Sequence, residues 1–478
     1  MVVGELTESA DLLIIGGGPG GYVAAIRAAQ LGRQVTLVEK DEIGGVCLNV
    51  GCIPSKAIIT VADELYRIQH AASRGITAKN VELSIPQVQS FKQQTVEHLT
   101  QGIRNLLKTH GVTVKKAEAQ FIDPGHVRVV SDYETEKIAF KQAILATGSR
   151  NRFLPEIPRN NEVIMDSTAI LGFDRIWNHL VVIGGGYIGL ELGTAFRKFG
   201  SRVTVLEATS SLLPRMDPHL LRILTKRLKE LDITWYLNTQ VTQVEVHGKE
   251  AKLTLSRDQG SLMADGVLIS VGRQPNTDNL NLEAAKIKPN HTGLIPVDER
   301  LRTQNPHIAA IGDIVQGPML AHKASYQGKI AAESLSGLPS AADAVAVPAV
   351  IFTDPEIAVT GIGVSDAHKA GYKTVVGRFP FTASGRALTL ENSLGEATVI
   401  ADESTGLLLG LEIVGAEAST VIAEGTLALE MGATLEDLAL TIHAHPTIPE
   451  SLVEAAEQAL GRPIHIAPAQ RLGRRDRL

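Results

Sequence analysis

Cysteine is almost absent from this sequence. Only two of the 478 residues are cysteine, Cys47 and Cys52, so a disulfide framework is excluded. Aromatic residues make up 4%, which leaves a core of Val, Ile, Leu and Ala. The net charge of −6 lacks the basic excess that nucleic-acid binding requires. No uninterrupted run of 18 apolar residues is present, so we expect no membrane span.

The N-terminal segment, residues 1–11, is slightly acidic and lacks the basic and apolar regions of a secretory signal. We therefore expect a cytoplasmic protein, or a mature organelle matrix or stroma protein if a transit peptide was removed. Cytosolic thiols stay reduced unless they are catalytic. The two cysteines, five residues apart, are therefore interpreted as a redox pair rather than a structural bridge.

One glycine-rich unit occurs twice. Each copy reads as an apolar strand, a glycine turn, a helix and a second strand that ends at a glutamate, and residues 13–39 and 181–207 are identical at nine of 27 positions. The glycines allow a tight turn, the approach of a pyrophosphate and close packing of helix on strand, while the glutamate accepts ribose hydroxyls. The residues are Gly16, Gly18, Gly21 and Glu39 in the first copy and Gly184, Gly186, Gly189 and Glu207 in the second.

Two copies predict two bound dinucleotides. Glu207 would accept a hydrogen bond from a free 2′-hydroxyl and repel a 2′-phosphate, and residues 208–213 contain no Arg or Lys, so the second ligand is predicted to be NAD. A thiol pair does not deliver hydride directly to NAD, so a flavin is expected between them. Lys56 follows Cys52 by four residues, on the same helical face, and would place a cation beside that flavin.

The segment around the cysteines, GGVCLNVGCIPSK at residues 44–56, resembles the redox-active segment of the pyridine nucleotide–disulfide oxidoreductases. Within that family it is most similar to the branch that oxidises protein-bound dihydrolipoamide. The resemblance covers the whole chain except the tail. It implies FAD and NAD as cofactors and a homodimer. The implied partners are the lipoyl domains of 2-oxo acid dehydrogenase complexes or the lipoyl protein of glycine cleavage.

The resemblance also implies roles for individual residues. Cys47 would exchange with substrate, and Cys52 would face the flavin as the charge-transfer thiolate. His445, before Pro446, would be the base that deprotonates the substrate thiol, supplied by the other subunit, with Glu450 orienting it. A cis bond is predicted before Pro446. Glu191 would be the partner of Lys56. His443 is interpreted as an ordinary histidine.

Further cofactor contacts are implied by shorter motifs. Flavin contacts are implied for Ala119, Thr147, Gly148, Asp313 and Ala321. For the second dinucleotide, the implied positions are Gly272, in the turn that leaves its domain, and Val241, for which a core valine is an equal alternative. No metal site is predicted.

The predicted fold class is α/β, with two Rossmann-like dinucleotide-binding domains and an α+β C-terminal dimerisation domain. The predicted boundaries are 1–148 for the FAD-binding domain, 149–273 for the NAD-binding domain, 274–343 for the remainder of the FAD-binding domain, 344–462 for the interface domain and 463–478 for a flexible tail. The arginines at 471, 474, 475 and 477 make that tail basic, and it is interpreted as a solvated end rather than a docking arm.

Two departures from the dihydrolipoamide-oxidising branch keep alternatives open. Tyr187 resembles the tyrosine that covers the nicotinamide pocket in glutathione reductase, and Gln327 stands where a glutamate is expected. Glutathione reductase is therefore one alternative, although Glu207 opposes it because that enzyme prefers NADPH. The other alternative is a flavin-binding scaffold without turnover.

Overall fold

The computed structural model describes residues 7–158, 162–256 and 260–468. The helices are α1 (Pro19–Gln30), α2 (Gly45–Val50), α3 (Cys52–Gln69), α4 (Ile85–Thr109), α5 (Tyr187–Phe199), α6 (Pro218–Glu230), α7 (Ala321–Leu335), α8 (Val364–Lys369), α9 (Gly385–Thr389), α10 (Ala418–Glu430), α11 (Leu435–Leu440) and α12 (Glu450–Ala459). The first eleven strands are β1 (Thr7–Ile15), β2 (Val35–Glu39), β3 (Thr113–Lys116), β4 (Glu118–Asp123), β5 (His126–Val130), β6 (Thr135–Leu145), β7 (Ser149–Asn151), β8 (Ile164–Asp166), β9 (His179–Ile183), β10 (Arg202–Leu206) and β11 (Ile233–Tyr236). The others are β12 (Val241–His247), β13 (Glu250–Leu255), β14 (Ser261–Ala264), β15 (Gly266–Ile269), β16 (Arg273–Pro275), β17 (Ile308–Ala310), β18 (Ala349–Ile351), β19 (Glu356–Gly361), β20 (Thr374–Pro380), β21 (Glu396–Asp402) and β22 (Leu408–Gly415).

The chain forms two compact units. The first contains the described residues of 7–178, 242–255 and 260–343, and the second contains those of 179–241, 256 and 344–468. The three-domain boundaries predicted above stay a prediction. Most of the predicted tail, residues 469–478, lies outside the described residues, and so do its four arginines.

The first unit is built on a sheet in the order β3-β2-β1-β6-β5-β4, with β17 also paired to β6. β1 lies inside this sheet and runs parallel to both β2 and β6. Its residues point alternately into two hydrophobic cores. Leu12 and Ile14 lie in one core, and Leu13 and Ile15 lie in the other. Burial on both faces explains why the end of this strand is uniformly apolar.

The second unit contains two sheets. β9, β10 and β11 pair in parallel, with α5 as the crossover helix after β9. β18 to β22 form a sheet in the order β18-β19-β22-β21-β20, in which neighbouring strands are antiparallel. A core of residues from this sheet, α10, α11 and α12 lies beside it. The predicted α/β fold class, with its α+β C-terminal region, is confirmed.

One helical stretch, Gly45–Gln69, is long and apolar enough to cross a membrane by length and composition alone. It is not one continuous helix, because α2 ends and α3 begins around Gly51, whose backbone has φ −142° and ψ −106°. It also carries both cysteines and Lys56. Core helices of globular proteins pass the same test, so this is weak evidence for a membrane span.

Candidate active site

The first glycine turn connects β1 to α1. Gly16 has φ +104°, and a Cβ there would lie 2.3 Å from the Ala146 carbonyl oxygen. A Cβ on Gly21 would lie 1.8 Å from the Gly16 oxygen. Only glycine fits these two positions, because the backbone itself occupies the space of a side chain. Gly18 is the N-cap of α1, so the unpaired N–H groups of the helix start at the turn.

Glu39, at the end of β2, stabilises this turn through hydrogen bonds to backbone N–H groups. Its Oε2 accepts a hydrogen bond from the Gly17 N–H at 2.5 Å, and its Oε1 accepts one from the Asp41 N–H at 2.8 Å. Each carboxylate oxygen has a further lone pair. The glutamate therefore supports the turn and can still accept ribose hydroxyls.

A cavity of about 250 Å³ opens beside this carboxylate. Four of the predicted flavin-dinucleotide residues line it, namely Gly16, Glu39, Ala119 and Thr147. The acidic acceptor, the glycine turn and the helix N-terminus are the groups that an adenine dinucleotide needs. The residues present therefore fit FAD at this cavity.

The predicted flavin residue Asp313 is held by two residues that the sequence did not single out. Ser149 is 2% exposed, and its Oγ donates a hydrogen bond to Asp313 Oδ2 at 2.5 Å. The same Oγ accepts a hydrogen bond from Arg273 Nε at 2.7 Å. Arg273 therefore fixes the Asp313 carboxylate through Ser149. Thr147 exchanges two hydrogen bonds with Asn276, one of them from its Oγ1 to the Asn276 carbonyl at 2.7 Å.

Gln327, which departs from the expected glutamate, lies on α7. Its Oε1 accepts a hydrogen bond from the Gly312 N–H at 2.8 Å, so the amide oxygen does what a carboxylate oxygen would do there. Lys323, one turn earlier, donates to the Gly312 carbonyl at 3.1 Å. Burial lowers the pKa of Lys323, and the Asp313 carboxylate opposes this shift. Ala321, a predicted flavin contact, begins the same helix.

The two cysteines lie on either side of the break between α2 and α3. Cys47 is half-buried within α2, and Cys52 is exposed as the first residue of the 18-residue helix α3; both are present as thiols. A hydrogen bond with Cys52 and then burial raise the pKa of the Cys47 thiol, while Lys56 acts in the opposite direction. The first turn of a helix favours negative charge. The raised pKa favours the protonated form of Cys47, and the start of α3 is a position where negative charge would be favoured.

Local sequence explains how the thiols are held. Gly44 and Gly45 have φ values of +98° and +57°, and a Cβ on Gly45 would lie 2.8 Å from the Gly18 Cα. The Asn49 side chain donates hydrogen bonds to the carbonyls of Ile43 and Gly45 at 3.0 and 2.9 Å. The thiol segment is thus packed directly against the first glycine turn.

The second glycine turn repeats the geometry of the first. Gly184 has φ +107°, Gly186 is the N-cap of α5, and Gly189 lies buried in its first turns. The Glu207 carboxylate is 8% exposed and accepts the N–H groups of Gly185 and Thr209, both at 2.7 Å. This donor and acceptor set fits a second dinucleotide. Tyr187 begins α5 and is 40% exposed.

The predicted base lies in the loop before α12. The His445 side chain is 81% exposed, and its Nδ1 is 2.8 Å from Glu450 Oε1. Glu450 Oε2 accepts the Thr447 N–H at 2.7 Å. Partial burial raises the pKa of Glu450, but the Thr447 N–H, His445 and His443 outweigh it and lower that pKa overall. The ionised carboxylate favours the tautomer with a proton on Nδ1, which leaves Nε2 as an acceptor.

The His445–Pro446 peptide bond is cis, so that prediction is confirmed. A second cis bond, Asp354–Pro355, was not predicted.

The remaining predicted residues lie as follows. Glu191 is 3% exposed, and its Oε1 accepts the Phe352 N–H at 2.9 Å. Lys56 and Glu191 belong to different units, so their pairing stays a prediction. Gly148 and Gly272 have φ values of +65° and +110°, and Val241 begins β12. Within 7–158, 162–256 and 260–468 there is no group of three or more His, Cys, Asp or Glu that could hold a metal.

Comparison with known families defines the class. The pyridine nucleotide-disulphide oxidoreductase family matches residues 10–328, and the dimerisation domain of the same family matches residues 347–456. The chain therefore belongs to the pyridine nucleotide-disulphide oxidoreductase family. It is an oxidoreductase of a class that uses FAD and NAD, as the resemblance implied.

Individual relatives narrow the class. The chain is 48% identical to the dihydrolipoyl dehydrogenase of Geobacillus stearothermophilus, over 98% of this chain and 99% of the relative. It is 46% identical to that of Bacillus subtilis, over 98% and 100%, and 46% identical to that of the archaeon Haloferax volcanii, over 97% and 99%.

Solved structures agree with this class. LpdA from Mycobacterium tuberculosis has a TM-score of 0.89 and 28% identity, covering 94% of this chain and 99% of that one. The HOCl-induced flavoprotein disulfide reductase RclA from Escherichia coli has a TM-score of 0.84 and 28% identity, with the same coverage.

Proposed function

We propose that this protein is a dihydrolipoyl dehydrogenase that oxidises protein-bound dihydrolipoamide to lipoamide and reduces NAD⁺. The observation that supports this proposal most directly is the 44–48% identity to dihydrolipoyl dehydrogenases along almost the whole chain. The geometry supports the chemistry, because it supplies a thiol pair, a flavin-dinucleotide cavity and a base with its orienting carboxylate.

The proposed reaction starts at the base. His445 Nε2 takes the proton of one substrate thiol while Glu450 holds the ring through Nδ1. The substrate thiolate attacks the Cys47 sulfur of the oxidised Cys47–Cys52 disulfide, which releases the Cys52 thiolate. The second substrate sulfur then displaces Cys47, so that lipoamide leaves with its own disulfide and the enzyme keeps the dithiol.

The proton distribution of the thiol pair suits this sequence. Because its pKa is raised, Cys47 takes the proton of the second substrate thiol as lipoamide leaves. Cys52, released as a thiolate by the first attack, lies at the start of α3, where a helix favours negative charge. When bound, FAD would supply the two-electron chemistry that links the dithiol to NAD⁺. Lys56 and Glu191 are proposed to provide a charge pair beside this step.

The proposed assembly is a homodimer formed through the dimerisation domain, residues 347–456, with His445 serving the thiols of the partner subunit. The proposed macromolecular partners are lipoyl domains of 2-oxo acid dehydrogenase complexes or the lipoyl protein of glycine cleavage. The proposed location is the cytoplasm, in keeping with the bacterial and archaeal relatives.

Steady-state turnover tests this function. The purified holoprotein is expected to form NADH from NAD⁺ and dihydrolipoamide, and to show no oxidation of NADPH by glutathione disulfide. The His445→Gln variant should lose dihydrolipoamide turnover by about a hundredfold or more, yet keep NADH oxidation by an artificial acceptor, which bypasses the base. Preferred reduction of glutathione disulfide would make the protein a glutathione reductase. A holoprotein without either activity would support the scaffold alternative.

A further inference from the structure

A second histidine–glutamate pair accompanies the predicted base. His443 Nε2 is 2.6 Å from Glu424 Oε1 on α10, and His443 Nδ1 is 2.9 Å from the Thr441 carbonyl oxygen. The His443 side chain is 8% exposed, whereas that of His445 is 81% exposed. The loop therefore carries two histidines, two residues apart. The ring of His443 is buried and contacts a neighbouring helix, and the ring of His445 is exposed to solvent.

Both hydrogen-bond partners of His443 are oxygen atoms that act as acceptors. A backbone carbonyl only accepts hydrogen bonds, and an ionised carboxylate does the same. A neutral imidazole has a single N–H, so it can satisfy only one of these two partners. Both hydrogen bonds form together when the ring is an imidazolium, and His443 and Glu424 then make a partly buried ion pair, with side chains 8% and 32% exposed.

The loop between α11 and α12 depends on such side-chain contacts, because residues 441–449 are neither helix nor strand. Thr447 Oγ1 donates to the Ala444 carbonyl at 2.7 Å, and the Thr447 N–H donates to Glu450. These bonds stay within the loop and the start of α12. The contact of His443 with Glu424, 19 residues away, ties the loop to α10.

Resting on the proposed function, we propose that His443 is a positioning residue: paired with Glu424, it anchors the base loop to α10 and places a positive charge beside the His445–Glu450 pair. Two carboxylates act on it, Glu424 from α10 and Glu450 from α12. The charge of His443 is one of the influences that keep Glu450 ionised. An ionised Glu450 is what holds the His445 ring in place.

A double-mutant cycle tests this inference in the holoprotein. His443→Gln and Glu424→Gln keep similar shapes but remove the ion pair. Each variant should lower kcat/KM for dihydrolipoamide by about tenfold, because the base is held less firmly. The double variant should be no worse than either single variant, since both remove one shared interaction. In His443→Gln, the acidic limb of the kcat/KM profile should move to higher pH, because a positive charge near His445 is lost.

The pair of His465 and Glu454 provides a matched control. His465 Nδ1 is 2.6 Å from Glu454 Oε1 in the same unit, but the ring is 68% exposed and does not belong to the base loop. His465→Gln should leave the kcat/KM and its pH profile unchanged. All variants should keep FAD and the oxidation of NADH by an artificial acceptor, which checks that they are folded.

Two outcomes would overturn the inference. One is an unchanged pH profile in His443→Gln, and the other is additive losses in the double variant. Failure of the proposed function is a separate result, because then the wild-type holoprotein itself would not oxidise dihydrolipoamide.

Discussion

Glu39 and Glu207 perform the same structural task in the two copies of the repeated unit. Each carboxylate accepts one N–H from its glycine turn and one from the residue two positions further on. The ribose-binding glutamate is therefore also part of the turn that binds the phosphates. Replacing it should affect both the shape of the turn and the choice of ligand.

The Glu207→Gln variant tests this at the second turn. Wild type should use NADPH about a hundredfold less well than NADH with an artificial acceptor, because a 2′-phosphate would face a buried carboxylate. Glutamine removes that repulsion, so the ratio of NADH use to NADPH use should fall. It can accept only one of the two turn N–H groups through its single oxygen, so use of NADH should also fall by about tenfold.

The matched control is Glu39→Gln, which makes the same change in the first copy. It should weaken FAD binding and leave the ratio of NADH to NADPH use unchanged. Equal use of the two nucleotides by wild type would contradict the assignment of Glu207.

Some of the residues that were predicted from sequence have partners near them in the chain. Cys47 and Cys52 share a segment, and His445 lies five residues from Glu450. Ser149 escaped prediction because its partner Asp313 is 164 residues away. The role of His443 was not predicted because its partner, Glu424, lies on the helix α10, 19 residues away. Gln327 was noticed as a departure, but its bond to Gly312 required the fold.

At the scale of elements, hydrophobic runs and glycine turns predicted strands and helices well. The repeated unit was predicted to end at a glutamate after its second strand; β2 ends at Glu39, and β10 ends at Leu206, directly before Glu207. Lys56 was predicted to share a helical face with Cys52, and both lie on α3, but the start of that helix was not predicted. The helix begins at Cys52, which gives this thiol its position at a helix N-terminus. It arises from the backbone break at Gly51, which composition alone does not reveal.

The strand β22 contains a buried charge that local patterning did not predict. All eight of its residues are buried, and Glu412 among them is 9% exposed. Burial, followed by the carboxylates of Asp217 and Glu396, raises the pKa of Glu412 from its usual 4.5 to about 7, against the opposing effect of Arg378. Ionisation of this side chain should therefore destabilise the strand.

The sign of the effect follows from proton binding. Between pH 4.5 and about 7, folded Glu412 keeps a proton that the unfolded chain releases, so its contribution to stability declines as pH rises. The glutamine of Glu412→Gln cannot ionise. The free energy of unfolding of this variant, minus that of wild type, should therefore be larger at pH 8 than at pH 4, by up to about 3 kcal/mol. Thermal unfolding at both values measures this difference. The exposed Glu403→Gln is the control, and a Glu412→Gln effect that is the same at both pH values would refute the prediction.

At the scale of the whole molecule, the dimerisation domain leaves large apolar side chains uncovered in the single chain. Leu427 on α10 and Met431, directly after that helix, are 62% and 76% exposed. Leu440, at the end of α11, and Ile442, in the base loop, are 70% and 98% exposed. Such exposure is typical of a surface that another protein covers. A second copy fits this surface best, because residues 347–456 match a dimerisation domain.

A monomeric variant should separate the oxidation of dihydrolipoamide from the oxidation of NADH by an artificial acceptor. Leu427 and Met431 are four residues apart and share a helical face, so Leu427→Glu with Met431→Glu places two charges in the proposed interface. Sedimentation should then give a monomer. That monomer should keep FAD and NADH oxidation by an artificial acceptor, since Gly16, Glu39 and the thiols belong to the first unit. Its dihydrolipoamide turnover should fall by about a hundredfold or more, because His445 would no longer reach the thiols of a partner.

The control for the monomer places a charge on an exposed aromatic side chain elsewhere. Tyr133 is 95% exposed and lies in the first unit, so Tyr133→Glu should remain dimeric and fully active. A monomer that retains full dihydrolipoamide turnover would mean that His445 serves the thiols of its own chain. A variant that stays dimeric would instead move the interface away from α10. The two results differ in sedimentation, so the requirement for a partner subunit is tested separately from the position of the interface.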